Sequence, residues 1–223
     1  MAMKYKLGVG INYWDDPKGL LTLLEAPNFL NQVYVVYIID GRYTGRSDFE
    51  ENNPYLGKEI ASGYPKVHYI CMFNVKQIDK RNKYWELAEK DQLDFMIVLD
   101  SDETCIFGEG LNQSLDECMK YDSQCFPLNQ DHVQVTKMAR PRLFKKPFTF
   151  RHKEHKGPNI SHGSLWDGWG KGKQEIINQM YRYHTDPNTP KTVPGILLTH
   201  DKEYRTKARL DADYEFYENN PTR

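Results

Sequence analysis

The 223-residue sequence predicts a mostly parallel α/β sheet flanked by helices. Three observations carry that expectation. Strand-like and helix-like segments alternate through the first hundred residues. The second strand is a nearly continuous apolar run, as a central strand covered on both faces requires. The fourth strand runs directly into an acidic cluster, at the carboxyl end where ligands of such sheets bind.

Lys6 to Tyr13 sets Leu7, Val9 and Ile11 among small residues and reads as a buried strand. Asp16 suits an N-cap and Pro17 a first helical position, and Leu20, Leu21, Leu23 and Leu24 form an apolar face before Pro27 ends the pattern. Gln32 to Ile39 is the second strand, closed by Asp40-Gly41. Arg42 to Tyr64 reads as a long loop with a short helix around Lys58 to Ala61. Lys66 to Phe73 is a third strand, Lys76 to Gln92 a helix by its spacing, and Phe95 to Leu99 a fourth strand. Further on, Leu111 to Lys120 predicts a helix, Val133 to Met138 a strand, and Arg142 to Phe150 strands around Pro147. Gly157 to Gly172, with five glycines and two tryptophans, has the composition of a binding loop. Gln174 to Tyr183 and Lys207 to Tyr217 read as helices on either side of an apolar run, Gly195 to Leu198, that leads into Thr199-His200-Asp201.

The composition is that of an ordinary globular chain, which excludes the disordered and membrane-bundle classes. No apolar run approaches the roughly 20 residues that cross a bilayer, so no stable membrane insertion is expected. Met1-Ala2-Met3-Lys4 leads straight into a strand pattern, which points to the cytoplasm. Cys71, Cys105, Cys118 and Cys125 contain no CxxC pair and read as free buried thiols. A zinc site from Cys118, Cys125 and His132 ranks below that reading, because the spacing matches no standard ligand pattern. The net charge of -1 exerts no global pull on nucleic acid. Locally, Lys137 to Lys156 carries ten basic or histidine residues against the single acid Glu154, a stretch that can hold an anionic ligand.

Asp100 and Asp102, two residues apart just past a buried strand, form a paired carboxylate of the kind that binds a hard cation. Magnesium or manganese takes oxygen ligands and bridges carboxylates to substrate phosphates. Such a cation neutralises charge on a departing diphosphate.

The order of a first strand ending in Asn12-Tyr13, a second ending in Asp40, a helix carrying Arg81-Asn82 and a strand ending in Leu99-Asp100-Ser101-Asp102-Glu103 resembles GT-A glycosyltransferases, especially family 2-like members. Arg140-Pro141-Arg142-Leu143-Phe144-Lys145 and the His155 region are similar to the R-x-R-L-F stretch and following histidine segment of some bacterial members, and His200 with Arg205 to their C-terminal histidine and arginine. The resemblance implies a single GT-A domain with a Rossmann-like mixed sheet, residues 1–104 binding the nucleotide sugar and 105–223 the acceptor. It implies that Asp40 recognises the base, that Arg81 lies near the base or diphosphate, and that Asp100 lies near the ribose or the metal waters. Asp102 becomes the principal ligand of Mn2+ or Mg2+, with His200 an additional one. Asn12, Tyr13 and Ser101 join the nucleotide-sugar set, and Arg142, Trp166 and Trp169 the acceptor set. Asp40-Gly41 as a plain turn, Arg81 as a solvated helix residue and His200 as a strand-end cap are the simpler alternatives.

An inverting member needs a carboxylate to take the proton of the acceptor hydroxyl. The Glu-Asp pair usual in the family is absent, leaving Asp167, between the two tryptophans, and Glu154 as candidates. Two rivals stand beside this reading. Asp100-Ser101-Asp102-Glu103-Thr104 also fits the DxDxT signature of haloacid dehalogenase-type phosphatases, with Asp100 as nucleophile and Asp102 as acid/base. The 13% aromatic content with the basic stretch suggests a non-enzymatic carbohydrate- or nucleic-acid-binding module. A transferase acting on a glycan or on a modified nucleic-acid base unites the two ideas.

Overall fold

The computed structural model describes residues 3–14, 16–41, 56–73, 75, 77–121, 124–132, 135–148 and 193–200. The elements are β1 (Leu7–Tyr13), α1 (Pro17–Leu24), α2 (Phe29–Gln32), β2 (Val35–Asp40), α3 (Leu56–Ser62), β3 (Val67–Cys71) and α4 (Gln77–Lys90). They continue with β4 (Phe95–Asp100), β5 (Glu103–Phe107), α5 (Leu111–Lys120), β6 (Cys125–His132), β7 (Val135–Lys145) and β8 (Ile196–His200). The strands form one sheet in the order β3-β2-β1-β4-β7-β6-β8-β5. The first four are mutually parallel, and β7 pairs antiparallel with β4. This is the mixed α/β sheet flanked by helices that the sequence predicts.

Side-chain alternation divides the core into two layers. Leu7, Val9, Ile11 and Tyr13 of β1, Val36 and Ile38 of β2, and Phe95, Ile97 and Leu99 of β4 pack with Leu20, Leu23, Phe29, Ala61, Leu111 and Leu115 from α1, α2, α3 and α5. The opposite face, with Tyr37, Ile39, Met96 and Val98, packs on Tyr84, Trp85 and Ala88 of α4. On that face β1 presents glycine. A Cβ added to Gly10 would stand 2.8 Å from the Tyr84 ring, so the missing side chain is what lets α4 lie close over β1.

The order of the strands forces the sheet to curl. β4 and β5 are four steps apart across the sheet, about 19 Å at normal strand spacing. Yet only Ser101 and Asp102 separate them in sequence, and three Cα–Cα steps span at most about 11 Å. The sheet therefore bends until its last strand returns beside β4, and the acidic turn is the short link that closes the curve.

Several expectations are corrected. The strands expected at Val133 to Met138 and around Pro147 are one long strand, β7, which runs through Pro141. Pro141 lies opposite Pro127 at a register shift, where two residues without N–H groups cost no ladder bond. β5, β6 and α2 were not expected as elements. Asp16 precedes α1, but its side chain makes no cap bond; its carboxylate accepts the Ser101 hydroxyl instead. Cys71 is exposed, against the expectation of buried thiols, while Cys105, Cys118 and Cys125 are buried. The expected loop at Gly157 to Gly172 and the helices at Gln174 to Tyr183 and Lys207 to Tyr217 lie outside the described residues, as do residues 42–55. No helix among the described residues is long and apolar enough to cross a membrane.

Gly10→Ala is expected to cost about 1–3 kcal/mol by forcing Tyr84 off its site. Urea denaturation checks this, and an unchanged midpoint would show that α4 does not depend on the close approach.

Candidate functional site

Strand parity decides which side chains meet at the carboxyl edge. Chain order runs β1, β2, β3 in one direction and then returns to the other side of β1 for β4, so the switch point lies between β1 and β4. There Asn12 pairs with Asp100 in register. Asp100 falls on the α4 face, as Met96 and Val98 do. Arg142, one residue from the Leu143 that pairs with Ile97, lies on that same face. Asp40 ends β2 on the other face with Val36 and Ile38, beside Tyr13 and under α3.

Two guanidinium groups converge on Asp100. Arg81 Nη2 donates to Oδ1 at 2.9 Å and Arg142 Nη2 to Oδ2 at 3.2 Å. Arg142 Nη2 also donates to Glu103 Oε1 at 2.5 Å, while the Asp100 N–H donates to Glu103 Oε2 at 2.8 Å. The Arg142 and Glu103 side chains are nearly fully buried. Burial pushes the Glu103 carboxyl above its ordinary range; the Arg142 charge opposes that rise, and the charges of Asp100 and Asp102 add to it. Burial works against the Arg142 charge, but Glu103 and Asp100 outweigh it and hold the guanidinium protonated. A guanidinium fork suits this duty because its planar donors can serve two carboxylates at once.

At the β2 end, Asp40 is buried and its Oδ2 accepts the Tyr69 hydroxyl at 2.9 Å. Burial and the Asp40 charge push the Tyr69 hydroxyl pKa well up, keeping it a donor. α3 passes so near that a Cβ on Gly57 would stand 2.8 Å from Asp40 Oδ2 and from the Tyr13 ring. Between the two faces, the ammonium of Lys80 donates to the carbonyl oxygens of Tyr13 at 2.8 Å and Gly41 at 2.6 Å.

The structure thus brings together Asn12, Tyr13, Asp40, Arg81, Asp100, Ser101, Asp102 and Arg142 at one edge of the sheet. Arg142, expected at the acceptor, is turned inward to the acidic turn. His200 is placed by its backbone alone, in register with Glu103 across β5–β8 and with His132 across β6–β8. Asp167, Glu154, Trp166, Trp169 and Arg205 lie outside the described residues. Lys80, Tyr69 and the structural use of Glu103 and Asp16 escaped the sequence reading. A parity count along β3 finds Tyr69 near Asp40, whereas Lys80 gives no signal separable from any helix lysine.

Among the described residues no group of three or more His, Cys, Asp or Glu side chains converges to hold a cation. Asp100 and Asp102 are oxygen donors of the kind a hard cation takes, although Asp100 already accepts from Arg81 and Arg142 and Asp102 is 1% exposed. For zinc, burial holds the Cys118 thiol up at about 12 and the Cys125 thiol also well above its ordinary value, which works against thiolate ligands.

No protein-family model matches the chain, and the comparison with curated proteins found no match. Among solved structures, it is similar to a cytidylyltransferase from Leptospira borgpetersenii serovar Hardjo-bovis, at 14% identity and TM-score 0.43 over 79% of this chain and 73% of that one. It is similar to a protein described as a nucleotide-diphospho-sugar transferase from Desulfovibrio desulfuricans G20, at 10% identity and TM-score 0.37 over 80% of this chain and 76% of that one. A third likeness is to GalNAc-T7, solved with UDP, GalNAc and Mn2+, at 13% identity and TM-score 0.49 over 96% of this chain and 48% of that one. The chain thus spans about half the length of GalNAc-T7. These are likenesses of fold alone, and the mixed α/β sheet flanked by helices is read from this chain's own strand order.

Arg142→Met leaves two carboxylates facing each other inside the turn and is expected to cost about 3–5 kcal/mol of stability. Glu103 sets a pH dependence of stated sign. With its native value raised above the ordinary 4.5, the folded state holds the proton more tightly than the unfolded chain. Its contribution is fully present below 4.5 and is lost as pH rises through the raised value. Urea unfolding at a series of pH values should show wild type losing stability relative to Glu103→Gln across that window. Parallel profiles would contradict this assignment.

Proposed function

We propose that the chain is a metal-dependent glycosyltransferase of the cytoplasm, moving a sugar from a nucleotide-sugar donor to an acceptor hydroxyl with inversion. The observation that supports the reading is the buried acidic turn at the β1/β4 switch point, with Arg81 beside it and Asp40 at the neighbouring strand end. Asp102, with His200, is the set that would hold Mn2+ or Mg2+. When bound, that cation draws charge from the departing diphosphate and makes it a better leaving group.

The chain's own residues supply the rest. Asp40, held by the Tyr69 hydroxyl, accepts an N–H of the base through the carboxylate capacity that remains. Arg81, on a rigid helix, bears on the phosphates and on Asp100 together. Asn12, Tyr13 and Ser101 line the nucleotide-sugar side. Asp167 or Glu154 takes the acceptor proton, and Trp166 and Trp169 cover a glycan or nucleic-acid base. One domain then carries both halves of the reaction, residues 1–104 for the donor and 105–223 for the acceptor.

The phosphatase reading fares worse on the same residues. A nucleophilic Asp100 needs an oxygen directed at phosphorus, and here both of its oxygens accept guanidinium N–H groups. Of the basic stretch, the three residues whose side chains are described are engaged within the fold. Arg142 and Lys145 are buried, Lys145 donating to the carbonyl oxygens of Tyr121 and Cys118, and Lys146 pairs with Asp94.

A panel of nucleotide sugars tested with Mn2+, scored by thermal stabilisation and donor hydrolysis, tests the reading. At least one donor should stabilise the wild type, and Asp102→Ala should lower hydrolysis by about a hundredfold or more. The reading fails if no nucleotide sugar stabilises the protein, or if Asp102→Ala hydrolyses donor like the wild type.

A further inference from the structure

Lys80 is 0% exposed, an ammonium wholly enclosed at the edge of the sheet. Enclosing a charge is costly unless it is hydrogen-bonded, so its partners are informative. It donates to the carbonyl oxygens of the last residue of β1, Tyr13, and of the first residue beyond β2, Gly41. Tyr13 belongs to the last register pair, Tyr13–Asp40, and Gly41 follows that pair on the β2 side, where the two parallel strands end.

Gly41 needs the tie. Its φ of +135° is open to glycine, and a Cβ there would stand 2.4 Å from the Met72 carbonyl oxygen. The Met72 N–H meanwhile donates to the Asp40 carbonyl oxygen at 2.6 Å, as the last rung of the β2–β3 ladder. Asp40 is therefore held on three sides: by Met72 through its backbone, by Tyr69 through its carboxylate, and by Lys80 through the next carbonyl. The neighbouring residue on α4, Arg81, serves the other strand end, at Asp100.

We infer that Lys80 is a positioning residue for the nucleoside of a nucleoside-diphosphate ligand: it fixes Tyr13 and Gly41, and through them Asp40, while Arg81 serves the diphosphate side. The inference rests on the proposed donor class and adds a division of labour between two consecutive residues of one helix. It predicts that losing Lys80 weakens recognition of the nucleoside and spares recognition of the diphosphate.

The experiment is isothermal titration of the full chain, with Mn2+ present, using UDP, GDP, ADP, CDP and inorganic pyrophosphate. Lys80→Met should bind the preferred nucleoside diphosphate about tenfold more weakly, the equivalent of one charge-assisted hydrogen bond, and pyrophosphate within about twofold of wild type. Lys80→Gln keeps an amide N–H toward the carbonyls and should recover part of the loss. It also carries the test if the Met variant fails to fold. Arg81→Met should show the reverse pattern, losing pyrophosphate. A general loosening of the fold would weaken both kinds of ligand alike, and that result, or nucleoside diphosphate binding unchanged in Lys80→Met and Lys80→Gln, overturns the inference. Wild-type protein that binds none of the five overturns the proposed donor class, and this inference with it; wild-type binding with indifferent Lys80 variants overturns the inference alone.

Discussion

The Arg142 guanidinium between Asp100 and Glu103 is the interaction on which the rest of this edge depends. The sheet has to curl because two residues join strands that a flat sheet would hold about 19 Å apart. The link that closes the curl is acidic and buried, so carboxylates crowd where the backbone has least freedom. A buried carboxylate without a partner is unfavourable by several kcal/mol. Arg142 resolves this from β7, the antiparallel strand beside β4, by donating to both strand ends that the turn joins. The Asp100 N–H adds a bond within the turn to Glu103. The same contacts that permit the fold to close also hold the acidic turn rigid.

Arg81 completes the arrangement from the opposite direction. It comes from α4, whose distance from the sheet is set by Gly10 under the Tyr84 ring. One glycine in β1 therefore reaches the site twice, through the Arg81 contact with Asp100 and through the Lys80 contacts with β1 and β2. A helix standing farther off would serve neither strand end. Packing and site geometry are here one constraint, because the residue that allows the close approach and the residues that exploit it lie on facing surfaces.

Much of this was legible in the residues, and what was not has physical causes. β1, β2 and β4 announce themselves because buried parallel strands are apolar on both faces, and α5 because its apolar spacing has a helical period; its bounds, Leu111–Lys120, match the expectation. β5 follows β4 after only two residues and β6 contains Pro127, so local pattern does not mark either off as a separate element; they are strands because β8 pairs with β5 and β7 with β6. Asp16 carried a valid N-cap signature, but Ser101, 85 residues away, offers its carboxylate a buried hydroxyl. In the site, Asp100, Asp102 and Asp40 could be found as acids at strand ends. Arg142 could be found as a residue of interest but not as an inward-facing one. Which way a strand residue points depends on register, and the register of β7 against β4 is a tertiary property.

The division between the two faces of the sheet bears on how a ligand would be read. Asp40 and Tyr13 belong to the face covered by α1, α2, α3 and α5, while Asp100, Arg142 and Arg81 belong to the α4 face. A molecule lying across the carboxyl edge meets the first set at one end and the second at the other. Lys80 is the described side chain from α4 that crosses between them, tying β1 to the residue after β2. Lys80 and Arg81 are adjacent on a helix and diverge by about 100° around its axis, and here each serves a different strand end. The helix must sit over the junction of the strands for both to be satisfied. That requirement fixes its register more tightly than the apolar contacts of Tyr84, Trp85 and Ala88 alone would do.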